Sequence, residues 1–159
     1  MAINAKVPAV CCSHLEKMFR PKERRKAIQD CLKALEPHKD KFDAIAISGY
    51  SMALIAPTIA DKLGKGLILV RKGNDDCASP YRVEGAICDS YIIIDDLVCS
   101  RETFHRVVKG ISDQHHSPAK LYGIYLYDIE HSSLRSHKQV KDWMKTRLLN
   151  DDNYGEEDK

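Results

Sequence analysis

The residues best suited to chemistry stand together in "YIIIDDLVCSRETF", Tyr91 to Phe104. An apolar run meets two adjacent carboxylates, Asp95 and Asp96, and then a short polar turn that leads into a helix pattern. Neighbouring carboxylates can hold a pair of hydroxyls or bind Mg²⁺ through water. Backbone N–H groups at a turn and a helix N-terminus form a nest for an anion. Ser100 and Thr103 add hydroxyl donors to that nest. A ligand with a phosphate at one end and a diol beside it fits both halves, and a ribose 5-phosphate has that shape.

These groups need elements to position them. "FDAIAIS", "GLILVRK", "YIIID" and "KLYGIYLYDI" are short, near-continuous apolar runs. Such runs suit strands buried on both faces, as in a parallel sheet covered by helices. Helix patterns separate them. One has Ala27, Ile28, Cys31, Leu32 and Leu35 on its apolar face and follows Pro21; Pro37 ends it. A second spans about Ser51 to Leu63, with Gly64 closing it and Pro57 kinking it or pushing its first turn outward. A third runs from about Glu102 to His115. The last, "SHKQVKDWMKTRLL", puts Val140, Trp143, Met144 and Leu148 on one side. "GNDDCASPYRVEGA" reads as a loop, from its crowd of Gly, Asn, Asp, Ser and Pro.

Ligands of open α/β sheets sit outside the carboxyl ends of the strands. Four segments converge on that rim: Ser48-Gly49-Tyr50-Ser51, Arg71-Lys72, Asp95-Asp96 and Tyr127-Asp128. Their convergence is worth more than any single motif.

Composition narrows the function classes. The chain has 159 residues, 43% of them hydrophobic, and a net charge of +2. That length suits one domain over 1–149 with an acidic tail at 150–159. The balanced charge argues against a duplex nucleic-acid binder. The basic run "PKERRK" reads as the solvated face of its helix, with phosphate contact as the alternative. No apolar run approaches ~18 residues, so no membrane span is expected. The opening "MAINAKVPAVCC" lacks a long apolar stretch and reads as a native start, not a secretory signal. The cysteines Cys11, Cys12, Cys31, Cys77, Cys88 and Cys99 form no zinc spacing. Scattered thiols of this kind fit a reducing cytoplasm.

"YIIIDDLVCSRETF" resembles the phosphoribosyl pyrophosphate (PRPP) motif of type I phosphoribosyltransferases. The resemblance extends from about Phe42 to Tyr127. "ISGYSMALIAPTIADKLG" is similar to the pyrophosphate loop and its helix, "LILVRKG" to the strand ending in Arg-Lys, and "YRVEGA" to the end of a mobile cover loop. The family implies a mostly parallel central sheet flanked by helices, with a small hood from residues 1–40 over a core at 41–128. It implies that Asp95 and Asp96 face the ribose hydroxyls with Mg²⁺ nearby. Cys99, Ser100, Arg101, Glu102 and Thr103 would wrap the 5-phosphate. Ser48, Gly49 and Tyr50 would meet pyrophosphate in a loop that often holds a cis non-proline peptide. Arg71 and Lys72 would lie near pyrophosphate or base, Glu84 on the cover loop as a proton-transfer group or a solvated acid, and Tyr127 at the base pocket with Asp128. Trp143 reads as core from its helical spacing and as a second candidate for that pocket. PRPP and a nucleobase-like acceptor would be the partners, in a cytoplasmic homodimer of nucleotide metabolism.

Two positions depart from the family. Cys99 stands where hypoxanthine and guanine enzymes carry aspartate, which leans the chain towards the adenine and orotate branches. Arg101 stands where the family has glycine. A glycine lets backbone approach phosphate and tolerates positive φ. Arginine there either blocks the phosphate site or serves it as a ligand. The two expectations are therefore a Mg²⁺-dependent transferase and, as the alternative, a non-catalytic PRPP- or nucleotide-binding relative.

Overall fold

The computed structural model describes residues 13–72, 79–114, 119–133 and 137–150. Residues 1–12 with Cys11 and Cys12, Cys77, His115 and the tail from 151 onward lie outside them. Six strands form one sheet: β1 (Ala44–Ile47), β2 (Gly66–Val70), β3 (Val83–Gly85), β4 (Ser90–Asp95), β5 (Lys120–Leu126) and β6 (Arg147–Leu148). Their order is β3-β2-β1-β4-β5-β6, and every pairing is parallel except β2 with β3. The helices are α1 (Ser13–Phe19), α2 (Pro21–Leu35), α3 (Tyr50–Ala53), α4 (Ala56–Leu63), α5 (Glu102–Gln114) and α6 (His137–Met144). None of the described helices is long and apolar enough to cross a membrane.

The apolar runs are continuous because alternate side chains feed two cores. Ala44, Ala46, Tyr91, Ile93, Ile124 and Leu126 point to one face, where Val107 and Ile111 of α5 and Val140 of α6 meet them. Ile45, Ile47, Ile92, Ile94 and Tyr125 point to the other, against Cys31 and Leu35 of α2 and Ile59 and Ala60 of α4. Each large side chain removed from water here contributes about 1.5–3 kcal/mol. Strand order runs outward in both directions from the β1–β4 pair. The carboxyl ends of those two strands therefore border a topological switch point, where a crevice opens.

Pro57 acts as its position suggests. Leu54 and Ile55 interrupt the helix, and the proline sits in the first turn of α4. Gly64 closes α4 in the left-handed conformation, φ 65°.

Two segments correct the sequence reading. Part of the expected loop is strand: Val83–Gly85 pairs antiparallel with β2. Gly85 has φ 133°, and a Cβ there would stand 2.0 Å from the Leu67 carbonyl oxygen, so only glycine lets the edge strand lie this close. The last helix also stops early. Lys145 turns left-handed, φ 51°, and Arg147–Leu148 joins β5 as β6. Asn150 prolongs that pairing with its side chain: Oδ1 accepts from the Leu126 amide at 2.9 Å, and Nδ2 donates to the Leu126 carbonyl.

Candidate functional site

Asp95 and Asp96 end β4 at the switch point and form the floor of a cavity of about 400 Å³. Asp95 is only 8% exposed. Its Oδ1 accepts from the Asp96 amide at 3.0 Å. Burial, and then the charge of Asp96, push its carboxyl up to about 8. Its ionised form is therefore disfavoured until a cation or donor arrives. Asp96 accepts from the Leu97 amide at 2.8 Å through Oδ1 and from the Ser51 hydroxyl at 3.1 Å through Oδ2. One carboxylate edge is thus tied to the turn behind it and the other to the helix across the crevice.

The wall after β4 is the turn Leu97–Arg101, which enters α5. The segment after β5 holds it from behind. The Val98 amide donates to Ser132 Oγ at 3.0 Å, the Ser133 amide donates to the Val98 carbonyl at 2.7 Å, and Ser133 Oγ donates to the Cys99 carbonyl at 3.4 Å. Ser132 is buried. Cys99, Ser100, Arg101 and Thr103 line the cavity; Glu102 does not.

Arg101 adopts the left-handed conformation, φ 68°. A residue with Cβ is disfavoured there by roughly 1–2 kcal/mol. Its guanidinium lies over the Trp143 ring, 4.5 Å from the centroid. Such a contact at an exposed site returns about 0.5–1 kcal/mol. Trp143 is fixed by Phe104, ring centroids 5.3 Å apart, and by His105 edge-on at 5.4 Å. It packs against the α5 side of the core and is absent from the cavity lining.

The opposite wall follows β1. Ser48 is 6% exposed, lines the cavity, and its hydroxyl has no hydrogen-bond partner among the described residues. Gly49 has φ 104°, a conformation that leaves the turn to glycine. Peptide bonds among the described residues are trans. Tyr50 opens α3 at 81% exposure. Lys72, past the end of β2, completes this side, and Leu15 of α1 lies over the cavity. Lys17 of the same helix pairs with the buried Asp128 at 3.2 Å, and His131 Nδ1 stands 2.9 Å from that carboxylate. These partners outweigh burial and hold the Asp128 carboxyl below its usual range.

Ser48, Gly49, Tyr50, Lys72, Asp95, Asp96, Cys99, Ser100, Arg101 and Thr103 thus share one cavity. Three other candidates stand elsewhere. Glu84, expected on a cover loop, lies in β3 and binds Arg71 across the sheet edge, with Nε donating at 2.9 Å. That hydrogen bond holds the Glu84 carboxyl below its usual range. Tyr127 packs on the α2–α4 side of the sheet, its amide donating to the Asp95 carbonyl at 3.2 Å. Ser51 stands in the rim segment that the sequence singles out, whereas Ser132, Ser133 and Leu15 are not marked by the sequence. The consecutive serines after the fourth strand were the available signal, because that strand also ends at the rim.

Solved structures share this architecture. The UMP synthase of Leishmania donovani superposes with a TM-score of 0.61 at 19% identity, over 93% of this chain and 31% of that one. The orotate phosphoribosyltransferase of Aeropyrum pernix gives 0.57 at 14% identity, over 82% and 71%. The adenine phosphoribosyltransferase of Trypanosoma brucei, solved with AMP, pyrophosphate and ribose-5-phosphate, gives 0.50 at 16%, over 82% and 64%. The chain has the type I phosphoribosyltransferase fold. It spans less than a third of the UMP synthase chain. No family model and no curated protein matches the sequence. Within the phosphoribosyltransferase fold, the Asp95–Asp96 pair stands at the β1–β4 switch point, and the Leu97–Arg101 and Ser48–Tyr50 turns line the same cavity.

Proposed function

We propose that this chain is a phosphoribosyltransferase that moves the ribose 5-phosphate of PRPP onto a nitrogen of a nucleobase-like heterocycle. One observation carries the reading: two carboxylates stand in one cavity between a nest-forming turn with Arg101 and a second turn with Lys72. That order of charge matches a ligand with a phosphate at one end, a diol in the middle and a pyrophosphate at the other. The T. brucei fold neighbour, solved with those three product and substrate pieces, supports it.

In this reading the C1–O bond to pyrophosphate breaks and a C1–N bond to the base forms. The proton on the attacking nitrogen leaves to a pyrophosphate oxygen or to water. Positive charge builds on the ribose and negative charge on the leaving group. Lys72 and the amides at Ser48, Gly49 and Tyr50 take the leaving charge. Amides and hydroxyls of Cys99, Ser100, Arg101 and Thr103 hold the 5-phosphate, and Asp95 and Asp96 hold the 2- and 3-hydroxyls. Glu84, held ionised by Arg71, suits orienting that arginine better than accepting a proton. Tyr127 acts by carrying the backbone that fixes Asp95.

Mg²⁺ fits this site. No group of three or more His, Cys, Asp or Glu side chains suited to a metal occurs among the described residues. Mg²⁺ does not need one, because it is commonly held by one or two carboxylates plus substrate phosphates. Asp95 and Asp96 would hold it, and it would neutralise charge on the pyrophosphate.

Incubation with PRPP, Mg²⁺ and a panel of bases including adenine and orotate should yield a nucleotide and pyrophosphate. A second reading, PRPP binding without turnover, is favoured by the left-handed backbone of Arg101 in the phosphate turn. Calorimetric binding of PRPP without product would select it. Absence of binding would overturn both.

A further inference from the structure

We propose that Arg101 is a phosphate-binding side chain that rests on Trp143 when the cavity is empty and leaves it for the 5-phosphate of the ligand. The inference rests on the phosphoribosyl reading above and adds a moving part that the fold does not require. Three observations carry it.

Arg101 lines the cavity, and its guanidinium lies 4.5 Å from the ring centroid of Trp143, a residue absent from the cavity lining. Among the described residues it has no carboxylate partner. Among those residues its charge meets an aromatic face. A phosphate dianion offers the planar fork a charge-assisted, bidentate partner, which is the stronger of the two contacts. Arg101 is also exposed, so a change of rotamer displaces no packed core.

The backbone beneath it is fixed. Val98 is tied on both sides to Ser132 and Ser133, and the Arg101 carbonyl accepts from the His105 amide at 3.2 Å to begin α5. Only the side chain is left to respond. Trp143 in turn is braced by Phe104 and His105 and stays in place when the guanidinium leaves. It is a shelf for the cation and not a wall of the site.

The cavity also has a place for this charge. Lys72 follows β2, the aspartates end β4 on the other side of β1, and Arg101 comes after them in the turn into α5, all lining one cavity. With Arg101 turned inward, each anionic end of the ligand meets a cation. A glycine at position 101 would leave that turn to backbone amides and hydroxyls alone.

Trp143 is the chain's sole tryptophan, so its emission reports the stack. The probes are ribose 5-phosphate with Mg²⁺, inorganic phosphate, and ribose. In the unaltered chain, ribose 5-phosphate should change Trp143 emission saturably, phosphate should do so more weakly, and ribose should not. Arg101→Gln should lose tenfold or more in ribose 5-phosphate affinity. Arg101→Gly should lose as much, although glycine relaxes the left-handed backbone. Trp143→Phe should bind within threefold of the unaltered chain. The proposal is overturned if Arg101→Gly binds as tightly as the unaltered chain or tighter. It also falls if calorimetry shows binding while Trp143 emission stays constant. Failure of the unaltered chain to bind PRPP or ribose 5-phosphate calorimetrically removes the parent reading too, and is thereby distinguished.

Discussion

The turn after β4 is anchored from behind along its length, whereas the turn after β1 keeps polar groups open to the cavity. In the first, Val98 and Cys99 are held by Ser132 and Ser133, and the Arg101 carbonyl accepts from the His105 amide. In the second, Ser48 Oγ is buried without a partner among the described residues and Tyr50 projects into solvent. The difference matches two kinds of ligand group. A phosphate that stays bound through reaction is best served by a preorganised nest. A leaving group needs a wall that binds it and also releases it, and groups left unsatisfied until the ligand arrives can do that.

The largest test is at the floor that joins the two walls. Asp95→Asn with Asp96→Asn should abolish PRPP-dependent pyrophosphate release, by about a thousandfold or more, if both carboxylates hold the diol and Mg²⁺. A rate within a few fold of the unaltered chain would separate the pair from the chemistry. Asp95 alone should show up in stability, with the opposite sign. Burial, and then the charge of Asp96, push the Asp95 carboxyl from 3.8 up to about 8 in the folded chain. The folded state then binds the extra proton between those values, so stability falls as pH rises from about 4 to about 8 and levels off above. At about 1.4 kcal/mol per pH unit the total is several kcal/mol. Asp95→Asn should remove that slope, and its advantage over the unaltered chain should be greatest above pH 8. Urea unfolding across pH checks this; parallel curves for both chains would refute the raised value.

The anchored wall should weaken next. Ser132→Ala leaves the Val98 amide without its acceptor in a buried place. Such a loss costs about 1–3 kcal/mol. Unfolding midpoints should drop accordingly, and the affinity for ribose 5-phosphate should fall with them. Full stability with unchanged affinity would mean the turn holds itself.

The contrast between walls also explains what could be read from residues alone. Four parallel strands, the aspartate pair and the break at Pro57 follow from local pattern: apolar runs of strand length, acids at a strand end, a residue that cannot donate within a helix. The edges do not. Val83–Gly85 is short and sits among turn formers, and it is a strand because β2 offers an open edge and Gly85 can approach it. Arg147–Leu148 continues a helical pattern, since Leu148 shares its spacing with Val140 and Met144, and the left-handed turn at Lys145 ends the helix before it. Glu84 looked like a loop acid because its partner, Arg71, is near only once β3 has paired. The serines behind the anion turn are more than thirty positions from it in the chain, at |i−j| of 34, and no spacing announces that contact. The family's glycine position announced that a positive φ was at stake; the Trp143 face that accommodates arginine there lay in a helix read as core.

The smallest effect on stability sits on the open wall, and for that reason it discriminates best. Ser48→Ala removes a hydroxyl that has no partner in the described structure. Burying an unsatisfied hydroxyl is unfavourable, so alanine should leave the unfolding midpoint unchanged or raise it slightly, within about 1 kcal/mol. If the ligand supplies the missing partner, the same change should weaken pyrophosphate or PRPP binding by about fivefold to tenfold while ribose 5-phosphate affinity stays the same. Ser132→Ala should do the reverse, lowering stability and ribose 5-phosphate affinity. Equal losses of both ligands in both variants would show that the two walls act as one. Loss of stability in Ser48→Ala would show that its hydroxyl already has a partner, and the open wall would then be as fully anchored as the other.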